Sequence, residues 1–336
     1  MDIRNLFLKV TFGIKGICML LVLNRLANTW SLVTKRSVSH WKLLISVVVG
    51  VMLASTIMSG TVIYFDALRE LALKSTLARL SDGEVDIILK AERGPTTYEE
   101  YEKVYDLVNS EVSSKLNWML TERIEGGRSA TFFLTYPGDE EKAGKDDARA
   151  FFAFSSNFEE KINITSGVWN GSQTFNSSSE ILLLEAVIPQ EAADLFNVHV
   201  GDSLSVVPYW DDKISSAKIV ISGIFSRIDS KDPYWHLDKE IFRSTTEGSF
   251  RAVPFYISKE KYMEVLGAGF EDMSSTYGWL LDVDPDLLNA ENATTALAYL
   301  ASVKSRLETD LFSYRQITAL EDTLSAYDKR LFYSKL

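Results

Sequence analysis

Residues 43–65 read LLISVVVGVMLASTIMSGTVIYF, a run of 23 positions without a charge. A helix of that length spans about 34 Å at about 1.5 Å per residue, enough for a hydrocarbon core of about 30 Å. Such a run folds either as a membrane span or as a buried helix of a soluble protein, and its flanks favour the first. Residues 1–42 carry a net charge of +6, whereas residues 66–336 carry −17. Cationic flanks stay on the cytoplasmic side. The expected arrangement is therefore a plasma (inner) membrane protein with its N-terminus in the cytoplasm and residues 66–336 extracytoplasmic. The run is longer than the apolar part of a signal peptide and begins late. It continues directly into DALRELALKSTLARL, rich in helix formers, so an uncleaved anchor is expected.

The charge step divides the chain. Residues 1–41 form a cytoplasmic or interfacial segment. Its apolar stretch 6–23 is broken by Lys9 and Lys15, and 24–41 mixes Trp30 and Trp41 with basic residues, as suits a helix lying at headgroup level. Residues 42–65 form the transmembrane helix and 66–80 a stalk helix. Residues 81–311 form an α+β domain of mixed strands and helices.

Within that domain, strands are expected at 84–91, 130–137, 148–155, 180–186, after Gly201-Asp202, at 217–228, 253–258 and 277–285. Tyr98, Tyr101, Val104, Val108, Val112 and Leu116 step by three and four, so 98–116 is an amphipathic helix. Further helices are expected at 189–197, 259–267 and 291–311. Ile317, Leu320, Leu324, Tyr327 and Leu331 make a short coiled-coil-like seam. Too short to stand alone, 316–336 is expected to pair with 66–80 as a second stalk helix leading towards a further span.

Little in the sequence points to catalysis. Cys18 is the one cysteine, and His40, His199 and His236 are scattered. That leaves no intramolecular disulfide, Cys-based zinc site or multi-His centre. No GxxxxGK[ST], GxSxG, HExxH or CxxC pattern occurs. A net charge of −11 argues against nucleic acid as a partner. The chain is expected not to be an enzyme, with no catalytic, cofactor-binding or metal residues and no cofactor. The segment DPYWHLD, around His236, with Asp232, Tyr234, Trp235 and Asp238, has two readings: a polar aromatic patch for a ligand, or a loop folded onto the core.

The order of segments also carries information. A basic N-terminal segment and one span are followed by SGVW at 166–169, EILLLEAVIPQEAADLFNVHVGDSLSV at 180–206 and KIVISGIF at 218–225. Over about residues 25–310 this resembles the FtsX-like and MacB-like permeases of ABC transporters. The resemblance implies a porter-like extracytoplasmic core, a separate cytoplasmic ABC ATPase as partner, a dimer with a second permease chain in the lipid bilayer, and further spans beyond residue 336. It implies a role in export, lipoprotein handling or envelope regulation. The alternative is a single-pass anchored module that binds a ligand or partner without an ATPase.

Overall fold

A computed structural model describes residues 41–81, 83–144, 148–169, 182–210, 216–240, 252–270 and 272–334. Of the segment 24–41 expected at the interface, residues 24–40 lie outside them, as do Cys18 and His40. The chain divides into two units after Leu68. Helix α1 (Trp41–Leu77) is one uninterrupted helix of 37 residues, about 55 Å long. Leu43, Val51, Ile57 and Ile63 all stand exposed on it. It is the one helix among the described residues long and apolar enough to cross a membrane. Both threonine hydroxyls in the apolar run are satisfied internally, Thr56 donating to the Met52 carbonyl and Thr61 to that of Ile57, each at 2.7 Å. Beyond the run, Leu73 and Leu77 are buried in the main core of the second unit.

The second unit is built on β1 (Ile87–Gly94), α2 (Tyr98–Lys115), β2 (Leu120–Ser129), β10 (Ser275–Val283), α4 (Ala293–Asp310) and β11 (Tyr314–Ile317). These strands lie in the order β11-β1-β10-β2, every pair antiparallel. Two βαβ units interleaved in this way give a ferredoxin-like split sheet. Alternation along the strands assigns its two faces. Ile87, Leu89, Trp279 and Leu281 join α2 through Tyr101, Val108 and Val112, and α4 through Leu300, Val303 and Leu307. Ile88, Ile124 and Leu280 belong to a second core on the other face.

Residues 130–274 are inserted between β2 and β10. They supply β3 (Phe132–Thr135), β4 (Arg149–Ser155), β5 (Ile162–Gly167), β6 (Leu182–Pro189), α3 (Gln190–Phe196), β7 (Ser203–Pro208), β8 (Ala217–Arg227) and β9 (Ala252–Tyr256). Pairing runs β4-β3-β7-β8-β6-β9 and returns to β4, so six strands close into a ring. The closure is the parallel pair β4–β9, from Arg149↔Ala252 to Ala153↔Tyr256. A closed ring has no exposed edge to aggregate. Phe132, Phe152 and Phe255 meet at centroid distances of 5.5 and 5.6 Å on one side of this wall. Beyond the ring, β5 pairs with the far end of β8.

Three strands differ from the expectation. β2, β5 and β11 were not anticipated. The sheet includes 314–317, past the expected end of the domain at 311. Ile317, expected as the first residue of the helical seam, sits in β11 opposite Ile88. Helix α5 (Leu320–Ser334) starts after it. Leu320, Leu324 and Tyr327 share the main core with Leu73, Leu77 and α4. Tyr327 donates its hydroxyl to the Arg69 carbonyl at 3.3 Å, and Thr294 on α4 bonds Asp328 at 3.3 Å. Between 259 and 269 the helix forms mainly as a wide turn over Lys261–Leu266.

Candidate functional site

Residues 232–238 cross the second face of the four-stranded sheet, and the side chains of Asp232, Tyr234 and Asp238 reach out to different parts of the fold. Asp232 caps the turn by accepting from the Tyr234 amide at 2.9 Å and pairs with Lys161 at 2.8 Å. Tyr234 donates to the Ser156 carbonyl at 3.0 Å, just after β4. The Trp235 ring lies under the Arg227 guanidinium, 4.4 Å from its centroid. Asp238 pairs with Arg227 of β8 at 2.8 Å and meets the Tyr256 hydroxyl of β9 at 3.5 Å. Tyr234, Trp235 and Leu237 are buried with Ile88 and Leu280. DPYWHLD is thus folded onto the core, its rings turned inward, and it ties the inserted ring to the sheet.

The same crossing builds a cluster of ionisable groups at the foot of β1. Pairing of Ile87 with Leu281, continued by one step, sets Asp86 opposite Asp282. Asp86 is buried, 5% exposed. Its Oδ1 accepts the Val283 amide at 3.2 Å. Its Oδ2 has no hydrogen-bond partner, and neither has Nδ1 of His236, 3.6 Å away. Burial lifts the Asp86 carboxyl above the usual carboxylate range; the Val283 amide draws it back and Asp282 pushes it up again. Asp282 is half-buried and also accepts from the Thr121 hydroxyl. The His236 ring rests against Gly83, whose φ of +88° suits glycine and where an added Cβ would come within 1.9 Å of that ring.

Asp86 and Asp282 line a cleft of about 520 Å³, with Leu77, Val85, Pro233 and Asp286 among its other walls. Lys74, also on the wall, reaches towards Glu70 at 3.8 Å. Among the described residues no three His, Cys, Asp or Glu side chains converge as a metal site would need. A second, smaller cleft of about 140 Å³ lies between α2 and the edge of β2, lined by Tyr105, Val108, Arg123, Glu125 and Trp279. There Glu125 is lifted by burial and drawn back by Lys259 at 2.8 Å.

Sequence reasoning singled out His236 with Asp232, Tyr234, Trp235 and Asp238, but not Asp86 or Asp282. The available signal was an aspartate at each end of an apolar strand, Asp86 before IILK and Asp282 after WLL. Only the antiparallel register brings together two residues so far apart in the chain.

No protein-family model matches the sequence, and no curated protein does. Among solved structures, the chain is similar to a domain of a protein provisionally described as a permease, from Porphyromonas gingivalis. The identity is 10%, the match covers 70% of this chain and 88% of that one, and the TM-score is 0.32.

Proposed function

We propose that the chain is a permease subunit of an ABC transporter of the FtsX-like and MacB-like kind. In this reading α1 crosses the membrane with residues 1–41 in the cytoplasm and the α+β unit outside. A separate cytoplasmic ATPase drives it, and a second permease chain completes a dimer. The work is mechanical, and the chain itself carries no catalytic residue. The observation that supports this best is the continuity of α1. An apolar, fully exposed stretch runs without a break into turns whose Leu73 and Leu77 are locked into a folded core. A helix that enters a core in this way is suited to pass displacement along its axis; α1 holds no proline, and Ser59-Gly60 is the place in it where a bend would form.

The test is affinity purification of the full chain from its native membrane in mild detergent, followed by ATP hydrolysis and subunit identification. An ABC ATPase should co-purify in stoichiometric amount, and two permease chains should be present per assembly. Purification without any ATPase supports the second reading, an anchored ligand-binding module, which the acidic cleft at Asp86 favours.

A further inference from the structure

We propose that the cleft at Asp86 and Asp282 binds a linear aliphatic diamine or polyamine. The inference rests on the cleft alone and stands whether or not an ATPase drives the chain.

Three carboxyl groups, those of Asp86, Asp282 and Asp286, line this cleft, against one cationic side chain, Lys74. Asp86 lies one position before β1 and Asp282 one after Leu281, so the Ile87–Leu281 register, continued by one step, brings the two carboxylates together, where like charges repel. Asp86 is 5% exposed and its Oδ2 is without a hydrogen-bond partner, which a buried carboxylate tolerates poorly. Two basic side chains are near, and neither closes on it. His236 Nδ1 stays 3.6 Å from Oδ2, beyond hydrogen-bond length, and Lys74 is engaged with Glu70. An ammonium group held by the half-buried Asp282 carboxylate on the cleft wall would set positive charge beside the buried Asp86 side chain.

The rest of the cleft selects the shape of that cation. Asp286 is exposed and lies on the wall beyond the pair, so a second charge is met at a distance from the first. Leu77, Val85 and Val283 supply apolar surface alongside. An elongated molecule with charged ends and a methylene body matches this pattern. A compact divalent ion does not, since the acidic groups among the described residues do not converge on one point.

The test uses the full chain in phosphatidylcholine nanodiscs, with empty nanodiscs as the blank, by titration calorimetry at pH 7.5. The probes are cadaverine and spermidine, with 1,5-pentanediol, pentylamine and MgCl2 as comparators. Saturable 1:1 binding of the two amines is expected, with at least tenfold weaker binding in Asp86→Asn and in Asp282→Asn. Asp286→Asn should weaken cadaverine and leave pentylamine unchanged. Asp282 is half-buried, so that variant decides the matter if Asp86→Asn fails to fold. The proposal is overturned if neither amine binds above the blank, if Asp282→Asn binds as tightly as the natural chain, or if pentanediol or Mg2+ competes equally.

Discussion

Asp238 shows how one side chain sets a pH dependence for the whole fold. Burial raises its carboxyl to about 7, although Arg227 beside it acts in the opposite direction. The ordinary carboxylate value of the unfolded chain is about 3.9. Between those values the folded state holds a proton that the unfolded state has lost. Stability is therefore highest below the unfolded value and falls as pH rises towards the folded one, by an upper bound of about 4 kcal/mol. Asp232 has the reverse sign: its carboxyl is held below the usual range by Lys161 and the Tyr234 amide against the opposing effect of burial. The two are separated by mutation. Asp238→Asn is expected to gain stability relative to the natural chain as pH is raised from 4 to 7.5, measured by chemical denaturation across that range; a parallel pair of curves would contradict it. Gly83 gives a second expectation at this scale. Gly83→Ala meets both an unfavourable positive φ and the His236 ring, and should cost about 1–3 kcal/mol, read as a lowered unfolding midpoint.

At the scale of elements, the segment 232–238 occupies the face of the sheet that α2 and α4 leave open. Trp235 is 2% exposed there, between Arg227 and the second core. Trp235→Ala should destabilise the unit by about 3–5 kcal/mol. Amides of β1 and β10 should then exchange with solvent faster than those of β3 and β7, checked by hydrogen exchange. Uniform acceleration everywhere would mean that the segment merely adds bulk stability. The elements legible in the sequence were those with a strong period: α2, α4, β8 and the apolar run of α1. β2 was not, because LTERIEGGRS offers two apolar positions and two glycines. It forms through its partners. It pairs with β10 along its length, and at Gly127 the absent side chain makes room for Phe154, which would lie 2.3 Å from a Cβ. β11 was hidden for a different reason. Ile317 stands three residues before Leu320, which mimics a helical step, while the edge of β1 recruits it as a strand. The acidic pair was hidden in the same way, since a register between strands nearly two hundred positions apart has no local trace.

At the scale of the molecule, the orientation of α1 turns on the basic residues beside it; the wider charge step, +6 over residues 1–42 against −17 over 66–336, has the same sense. Basic residues close to the span set orientation, and acidic residues contribute little. Lys35, Arg36 and Lys42 lie within about 15–20 residues of the apolar run, the distance over which the rule acts. Within the same distance the opposite flank holds Arg69, Lys74 and Arg79, against Arg25, Lys35, Arg36 and Lys42 on the N-terminal side, so the bias is four to three and rests on the N-terminal side. Reversing Lys35, Arg36 and Lys42 to glutamate should therefore turn a measurable fraction of the chains over, whereas reversing Lys304, Arg306 and Lys329, far from the span in sequence, should not. The check is a Cys18→Ser background with a cysteine placed at Ser305 on α4, labelled in intact cells by a maleimide that does not cross membranes. The natural flank should give full labelling from outside, the triple reversal a partial loss recovered on permeabilisation, and the distal reversal no change. Full labelling in all three would show that charge next to the span does not orient this chain. Protection of Ser305 in the chain with its natural flank would place the α+β unit in the cytoplasm, and the permease reading would fall with it.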